Sequence, residues 1–245
     1  MNVQRPTPRR HEAHSSMTVP NQTRFRFEWE GRICAVEAAG MKTGYVYDAD
    51  GNRVAKGPIT KWSCDPTTNG FESSGQESDY ILDRSGQPVT ETTMGSGGTM
   101  TWNYTNVYAN GQLFATYDAQ GLHFQLNDWL GTRRETTDYA GVVEQTCASL
   151  PYGDQLNCSG SEDAPNEQHF TGKIHDAESG LDYFGARYYS SNDGRFMSPD
   201  WSAQAMPVPY AKLDDPQSLN LYGYMLDSPL DGVDQDGHCP ECVEW

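Results

Sequence analysis

Two aspartates near the C terminus, Asp227 and Asp234, are the residues whose types and spacing best suit chemistry. When two carboxylates share a site, repulsion keeps a proton on one of them while the ionised one activates a nucleophile, so the pair works as acid and base. Arg187 offers a guanidinium that binds a carboxylate or an oxyanion. In the alternative interpretation, Asp234, Asp236 and Gly237 form a turn closed by an aspartate side chain, and Arg187 belongs to a structural ion pair.

A second candidate lies at the C-terminal tail, where His238 is followed by Cys239 and Cys242. This spacing suits metal binding or redox chemistry, but a zinc site needs four ligands and the sequence has no second Cys-x-x-Cys pair. His169 or His175 would have to complete the site, and nothing in the sequence brings either one near. We therefore expect no cofactor and no metal, with Cys239 and Cys242 as the remaining metal candidates.

The N-terminal sequence bears on whether the cysteines are reduced or form disulfides. Residues 1–23 are polar, show no secretory segment and are predicted to be a flexible leader. Without export, free thiols are the expected state of the six cysteines. Cys147 and Cys158 are the one pair that a hairpin would bring together, which leaves a disulfide there as the alternative.

The charge balance excludes two classes of partner. The formal net charge is -17, and a surface this acidic repels phosphate backbones, so direct nucleic-acid binding is not expected. The sequence has no apolar run of about 18 residues, so no membrane span is expected either.

The elements that must position these residues are β-hairpins. One pattern recurs: a strand, Tyr or Leu followed by Asp, two residues, Gly, and a returning strand. Glycine permits the reversal, aspartate accepts hydrogen bonds from the turn, and tyrosine covers apolar area. The pattern predicts an all-β protein built from antiparallel hairpin repeats. Its four copies are residues 43–57, 78–91, 111–128 and 131–145.

Two further elements follow from periodicity. Residues 24–30 alternate strictly and predict a strand with Phe25, Phe27 and Trp29 on one face. Asp215 followed by proline predicts the start of one short helix over 217–226, although Gly223 disfavours it.

These residues resemble the RHS, or YD-repeat, family over about 24–238. The hairpins are similar to its repeat, most closely at Tyr47–Val54. The stronger resemblance is to the RHS-associated core, through GLDYFGARYYSSNDGRFMSPDW and LNLYGYMLDSPLDGVDQDGH. The resemblance implies an open segment of a hollow β-shell followed by a core that plugs one end. It implies these divisions: leader 1–23, hairpin array 24–158, linker 159–168, core 169–238 and tail 239–245.

Some members of the family cut their own chain after an Asp-Pro-x-Gly-Leu motif with nearby aspartates. The resemblance assigns Asp227, Asp234 and Arg187 to that catalysis, and Asp227 fits the family's Asp-x6-Asp spacing. This sequence departs from the motif, since Gln235 stands for the proline and His238 for the leucine. These departures favour the structural turn over cleavage. The cleavage motif would comprise Pro229, Asp236, Gly237 and His238.

The function expected from the resemblance is a structural, encapsulating shell segment of a polymorphic toxin. The seven residues after His238 are too few for a toxin domain, so a truncated or degenerate copy is expected. The alternatives are a self-cleaving aspartate protease core that releases the segment after His238, and a cell-surface recognition or adhesion module. The implied partners are further YD-repeat shell segments and an encapsulated toxin, and the implied localisation is secreted or surface delivery from bacteria.

Overall fold

The computed structural model describes residues 23–28, 30–71, 77–95, 97–160, 168–200, 212 and 214–238. Within them, an antiparallel sheet of twelve strands follows the chain order β1 to β12, and a second antiparallel sheet of four strands follows the order β13 to β16. Because each strand pairs with its neighbours in sequence, both sheets are meanders. The expected all-β fold and the open hairpin array are confirmed.

The strands of the large sheet are β1 (Arg24–Phe27), β2 (Ile33–Ala38), β3 (Met41–Tyr47), β4 (Arg53–Pro58), β5 (Glu77–Leu82), β6 (Pro88–Met94), β7 (Met100–Ala109), β8 (Gln112–Asp118), β9 (Leu122–Asn127), β10 (Arg133–Thr137), β11 (Val143–Ala148) and β12 (Asn157–Gly160). Those of the small sheet are β13 (Ile174–Asp176), β14 (Leu181–Tyr183), β15 (Tyr188–Ser190) and β16 (Arg195–Phe196).

An aspartate closes each predicted hairpin turn. In the first hairpin, the Asp48 side chain accepts hydrogen bonds from the main-chain N–H groups of Asp50 (3.0 Å) and Asn52 (2.9 Å). Gly51 has φ +89°, which only glycine adopts without strain. The same aspartate-centred bonding recurs in the other turns of the array, at Asp83, Asp118 and Asp138.

The predicted N-terminal strand is shorter than expected. β1 covers only Arg24–Phe27, because its register shifts between Arg26 and Phe27 and the chain then turns at Glu28–Gly31. Trp29 lies outside the described residues.

The short helix expected over 217–226 is two separate 3-10 turns, Pro216–Leu219 and Met225–Asp227. Asp215 does cap the first turn, accepting from the N–H of Gln217 at 3.1 Å. The chain between the turns pairs instead with β16, where the N–H of Phe196 donates to the carbonyl of Tyr222 at 2.9 Å. This pairing competes with helical hydrogen bonds, which is why an α-helix does not continue.

The expectation of free thiols is wrong for the four cysteines that are described. Cys147 and Cys158 lie directly opposite each other in β11 and β12 and form a disulfide, as the alternative proposed. Cys34 and Cys64, which no sequence pattern pairs, form a second one. The strand register brings the first pair together. Residues 239 and 242 lie outside the described residues.

Two aromatic clusters form the core, and the first of them joins the small sheet to the large one. One cluster unites Ile33, Val36 and Tyr45 of the large sheet with Leu181 and Tyr188 of the small sheet. A second cluster lies within residues 170–225 and consists of Phe170, Phe184, Tyr189, Phe196, Tyr224 and Met225.

Polar contacts hold the two sheets together at separate places. The Tyr47 and Tyr188 hydroxyl groups lie 2.8 Å apart, and Arg53 forms a buried ion pair with Asp176. Further along the large sheet, the N–H of Thr171 donates to the Thr132 hydroxyl at 3.0 Å. Turns of successive hairpins and the C-terminal residues together line one cavity of about 750 Å³. The large sheet therefore forms a wall, and the small sheet packs against it as an end unit.

Candidate functional site

The candidate site centres on Arg187, which lies buried between β14 and β15. Its guanidinium lies over the ring of Phe196, 3.6 Å from the ring centroid. Its Nη1 donates to the carbonyl of Leu221 at 3.1 Å, and its Nε donates to the carbonyl of Gly237. A cation this buried requires such acceptors and anions around it.

Two carboxylates meet the same nitrogen of Arg187. Its Nη2 lies 3.1 Å from Asp200 Oδ2 and 3.2 Å from Asp234 Oδ2. Both aspartates are almost fully buried. One cation therefore faces two acidic groups in a space with little water.

Asp234 also shapes the chain that follows it. Its Oδ1 accepts hydrogen bonds from the N–H groups of Gly237 (2.8 Å) and His238 (3.2 Å). Gly237 has φ +81°. A Cβ at this position would lie 3.1 Å from the main-chain nitrogen of Arg187 and 3.1 Å from the carbonyl oxygen of Phe184. The turn and the ion pair offered as the structural alternative are thus both present.

The other predicted motif residues surround this turn. The Asp236 side chain accepts from the N–H of His238 at 3.0 Å, and its carbonyl accepts from the N–H of Ala186 at 2.9 Å. His238 Nδ1 lies 3.7 Å from Asp200 Oδ1. Pro229 is buried and lies five positions before Asp234.

Lys173 reaches the same turn from the other side. Its Nζ donates to the carbonyl of Gln235 at 2.6 Å. Burial lowers the pKa of Lys173 and outweighs the opposing effect of Asp234 and Asp236. The segment at Asp234, Gln235 and Asp236 is therefore held by hydrogen bonds at all three residues.

Asp227 does not join Asp234. It is exposed, its carboxylate accepts from the side-chain amide of Gln217, and its carbonyl accepts from the Tyr152 hydroxyl at 2.9 Å. In the structure the 3-10 turn at Met225–Asp227 directs this aspartate to Gln217, and a catalytic role for Asp227 stays a prediction.

Asp200 is the residue that sequence reasoning missed. It ends the Gly-Arg-Phe-x-x-x-Asp motif that supported the family resemblance, so a signal for it was present. It meets Arg187, thirteen residues earlier, and through this arginine it comes near Asp234, 34 residues later, and sequence spacing alone connects neither.

A different set of side chains has metal-ligand geometry. Among the described residues, His169, His175 and Asp182 of the small sheet bring their ligand atoms within 4.8 Å of one another. The predicted tail candidates, Cys239 and Cys242, lie outside the described residues.

The fold has clear counterparts among solved structures. The crystal structure of TcdB2–TccC3 matches with a TM-score of 0.63 and 21% identity, covering 88% of this chain and 10% of that chain. The Tc holotoxin pore of Photorhabdus luminescens matches with a TM-score of 0.62 and 17% identity, covering 91% of this chain and 10% of that chain. The chain thus has the fold of an RHS-type toxin shell.

Curated proteins with similar sequences indicate which kind of toxin the chain is related to. The chain is 27% identical over 225 residues to the tRNA3(Ser)-specific nuclease WapA of Bacillus spizizenii and 27% identical over 222 residues to the tRNA nuclease WapA of Bacillus subtilis. Each match covers 88% of this chain and 8% of the relative. The chain is therefore related to RHS-type polymorphic toxins and spans less than a tenth of the length of these relatives. No family model matches it. No helix in the described part of the chain is long and apolar enough to cross a membrane.

Proposed function

We propose that the chain is a wall and end-closing segment of an RHS-type polymorphic toxin shell. The observation that carries this proposal is the single twelve-stranded meander with the small sheet packed against it. Residues 24–158 supply the wall, and residues 169–238 supply the core that closes one end. The occupant of the enclosed space is a toxin segment, and the partners at the wall edges are further YD-repeat strands.

The edges of the large sheet support extension of the wall. Among the strands that the structure describes, β1 and β12 each have a strand neighbour on one side only. The outer sides of such strands carry N–H and C=O groups that are ready to pair with another strand. A shell segment needs this property, because its wall continues on both sides.

Hydrogen exchange tests the extension. We would fuse a second copy of residues 24–160 ahead of residue 24, so that the β12 sequence of the added copy can pair with β1. The proposal predicts that the β1 amides of the original copy exchange at least about tenfold more slowly in the fusion, since an edge strand becomes an internal one. The β14 and β15 amides serve as the control and should not change. If β1 exchanges equally fast in both proteins, edge extension is refuted.

Self-cleavage is the second candidate function. The observation that favours it is the meeting of Asp200 and Asp234 on Nη2 of Arg187, beside the turn at Gly237–His238. In this candidate reaction Asp200 replaces Asp227 as the second carboxylate. The reaction class is hydrolysis of the peptide bond after His238.

The chemistry of that step balances with water as the only co-reactant. The ionised carboxylate of the pair takes a proton from water, whose oxygen attacks the carbonyl carbon of His238. The protonated carboxylate then gives its proton to the departing amide nitrogen of residue 239. The products are a carboxyl group on His238 and a free amine on the released tail.

Intact-mass spectrometry tests cleavage. The proposal predicts a product ending at His238, its loss in Asp200→Asn and in Asp234→Asn, and its persistence in Asp227→Asn. The last variant is the matched control, because it changes the same chemistry at an aspartate outside the Arg187 cluster. A chain that keeps its full mass during long incubation would refute cleavage and leave the shell proposal untouched.

A further inference from the structure

We infer that His169, His175 and Asp182 form a binding site for a divalent transition-metal ion, with Zn²⁺ as the best match. This site goes beyond the proposed shell function and is distinct from the Arg187 cluster. Imidazole nitrogens and a carboxylate oxygen are ligands that Zn²⁺ prefers in proteins.

The small sheet brings the three side chains together. His175 on β13 is the cross-strand partner of Asp182 on β14. His169 lies just before the 3-10 turn at Phe170–Gly172, and its N–H donates to the carbonyl of Lys173 at 2.7 Å. The bridge between Gln168 and Ile174 fixes this loop beside β13. Two of the ligands thus come from paired strands and the third from a loop tied to them.

The carboxylate of Asp182 lies between the two imidazoles. His175 Nδ1 is 2.7 Å from Oδ1, and His169 Nδ1 is 2.9 Å from Oδ2. The ring centroids lie 4.5 Å apart. Asp182 is fully buried, and these two rings satisfy one oxygen each.

The distances between the imidazole nitrogens and the Asp182 oxygens allow a metal ion to replace the protons that lie between them. In a tetrahedral zinc site with bonds of about 2.0–2.2 Å, neighbouring ligand atoms lie about 3.3–3.5 Å apart. The nitrogen–oxygen distances here are shorter than that and the three ligand atoms lie within 4.8 Å, so small side-chain movements admit the ion. When the ion binds, each ring is in the tautomer protonated at Nε2, so that Nδ1 carries no proton and offers its lone pair to the metal.

The site has an opening for a further ligand. The His175 side chain is 32% exposed, whereas that of His169 is 13% exposed. Water therefore reaches one side of the cluster and supplies the fourth ligand. Three protein ligands with a water describe an open zinc site.

The position of the site gives it a structural consequence. The loop that carries His169 continues to Thr171, whose N–H donates to Thr132 of the wall. A metal that joins this loop to β13 and β14 restrains the seam between the end unit and the wall. Binding to the folded state then raises the stability of the whole chain.

Calorimetric titration with Zn²⁺ and the visible absorption of bound Co²⁺ test the site. The untagged chain would carry Cys239→Ser and Cys242→Ser, so that tail ligands are absent. The expected result is one equivalent of metal, a tetrahedral Co²⁺ spectrum and a higher melting temperature with Zn²⁺. His169→Gln and His175→Gln should each weaken binding at least about tenfold, as loss of a ligand does.

Controls keep this test decisive. His14→Gln removes a histidine that is not one of the three proposed ligands and should leave binding unchanged. Circular dichroism confirms folding of the two cluster variants, in which the glutamine amide keeps an N–H group that can donate to Asp182. Absence of binding in the chain without tail cysteines, or equal binding in His175→Gln, would overturn the inference.

Discussion

Arg53 is the residue on which the joint between wall and end unit most depends. It belongs to β4, is 2% exposed and pairs with Asp176, which is 0% exposed. Its guanidinium also lies over the rings of Tyr45 and Tyr183, at 5.2 and 4.6 Å from their centroids. Burial lowers the pKa of Arg53, but Asp176 reverses this effect and raises it well above the usual value.

Arg53→Met is expected to lower the free energy of unfolding by about 3 kcal/mol, because it leaves the buried Asp176 with less compensation. Urea denaturation followed by tryptophan fluorescence measures the loss. Lys56 remains 3.2 Å from Asp176 and keeps the cost from being larger.

Arg24→Met is the matched control for that prediction, since Arg24 pairs with Glu37 at 3.0 Å on the exposed surface. It should cost less than about 1 kcal/mol. Adding Asp176→Leu to Arg53→Met should restore part of the loss. Equal losses in Arg53→Met and Arg24→Met would contradict the role assigned to the buried pair.

At this scale the sequence predicted some contacts and not others. A structural ion pair of Arg187, without its partner, and the turn at Gly237 were foreseen, because the motif residues and glycine mark them. The pairing of Asp200 with the same arginine and that of Arg53 with Asp176 were not foreseen. Asp200 meets Arg187 inside the end unit, through the folding of residues that are not neighbours in the small sheet. Arg53 meets Asp176 only because the end unit packs on the wall.

Among the elements, the hairpin turns depend on aspartate side chains. In the second hairpin, Asp83 accepts from the N–H of Ser85 (2.8 Å), from its hydroxyl (2.7 Å) and from the N–H of Gln87 (3.0 Å). The Ser85 hydroxyl, followed by the main-chain N–H groups, lowers the pKa of Asp83. The charged form is therefore the one that stabilises the turn.

The stability that Asp83 adds is expected to depend on pH in one direction. Its folded pKa lies below the unfolded value of about 3.9, so its contribution is present above pH ~4 and is lost as the pH falls through the folded pKa. Asp83→Asn should be less stable than the wild type at pH 7, and the difference should shrink on acidification. Urea denaturation at a series of pH values measures it.

Asp50→Asn serves as the control for the turn, because no described group donates a hydrogen bond to the Asp50 carboxylate. Its stability should follow that of the wild type at every pH. A difference between Asp83→Asn and wild type that stays constant down to pH 2 would contradict the assigned charge dependence.

Turn chemistry explains why the hairpins could be predicted and the C-terminal helix could not. A hairpin repeat is local: Asp48 and Gly51 act within five residues, so their pattern is visible in the sequence. The segment 217–226 has a capping aspartate and helical spacing, but its structure depends on pairing with β16. That partner lies about twenty-five residues away and leaves no local signal.

At the scale of the whole molecule, the described wall ends in two short edge strands, β1 and β12. β1 carries Arg24 and Arg26, whereas the sequence that follows β12 carries Glu162, Asp163 and Glu167. The net charge of -17 opposes contact between copies in general. Attraction between the basic β1 strand and this acidic sequence of another copy is expected to favour head-to-tail pairing, which is a contact that does not close on itself.

The isolated chain is therefore expected to self-associate through its edges as its concentration rises, and sedimentation velocity measures this. Arg26→Glu should reduce the association, because it makes the β1 edge less basic and so weakens its attraction to an acidic one. Arg84→Glu, at an exposed turn, alters the net charge by the same amount and should reduce association less. The comparison isolates the edge from the overall charge. A monomer at every concentration, or equal effects of the two charge reversals, would show that the wall edges are not the contacts. Protection of the edges against pairing with another copy would then have to come from the four-residue length of β1 and β12.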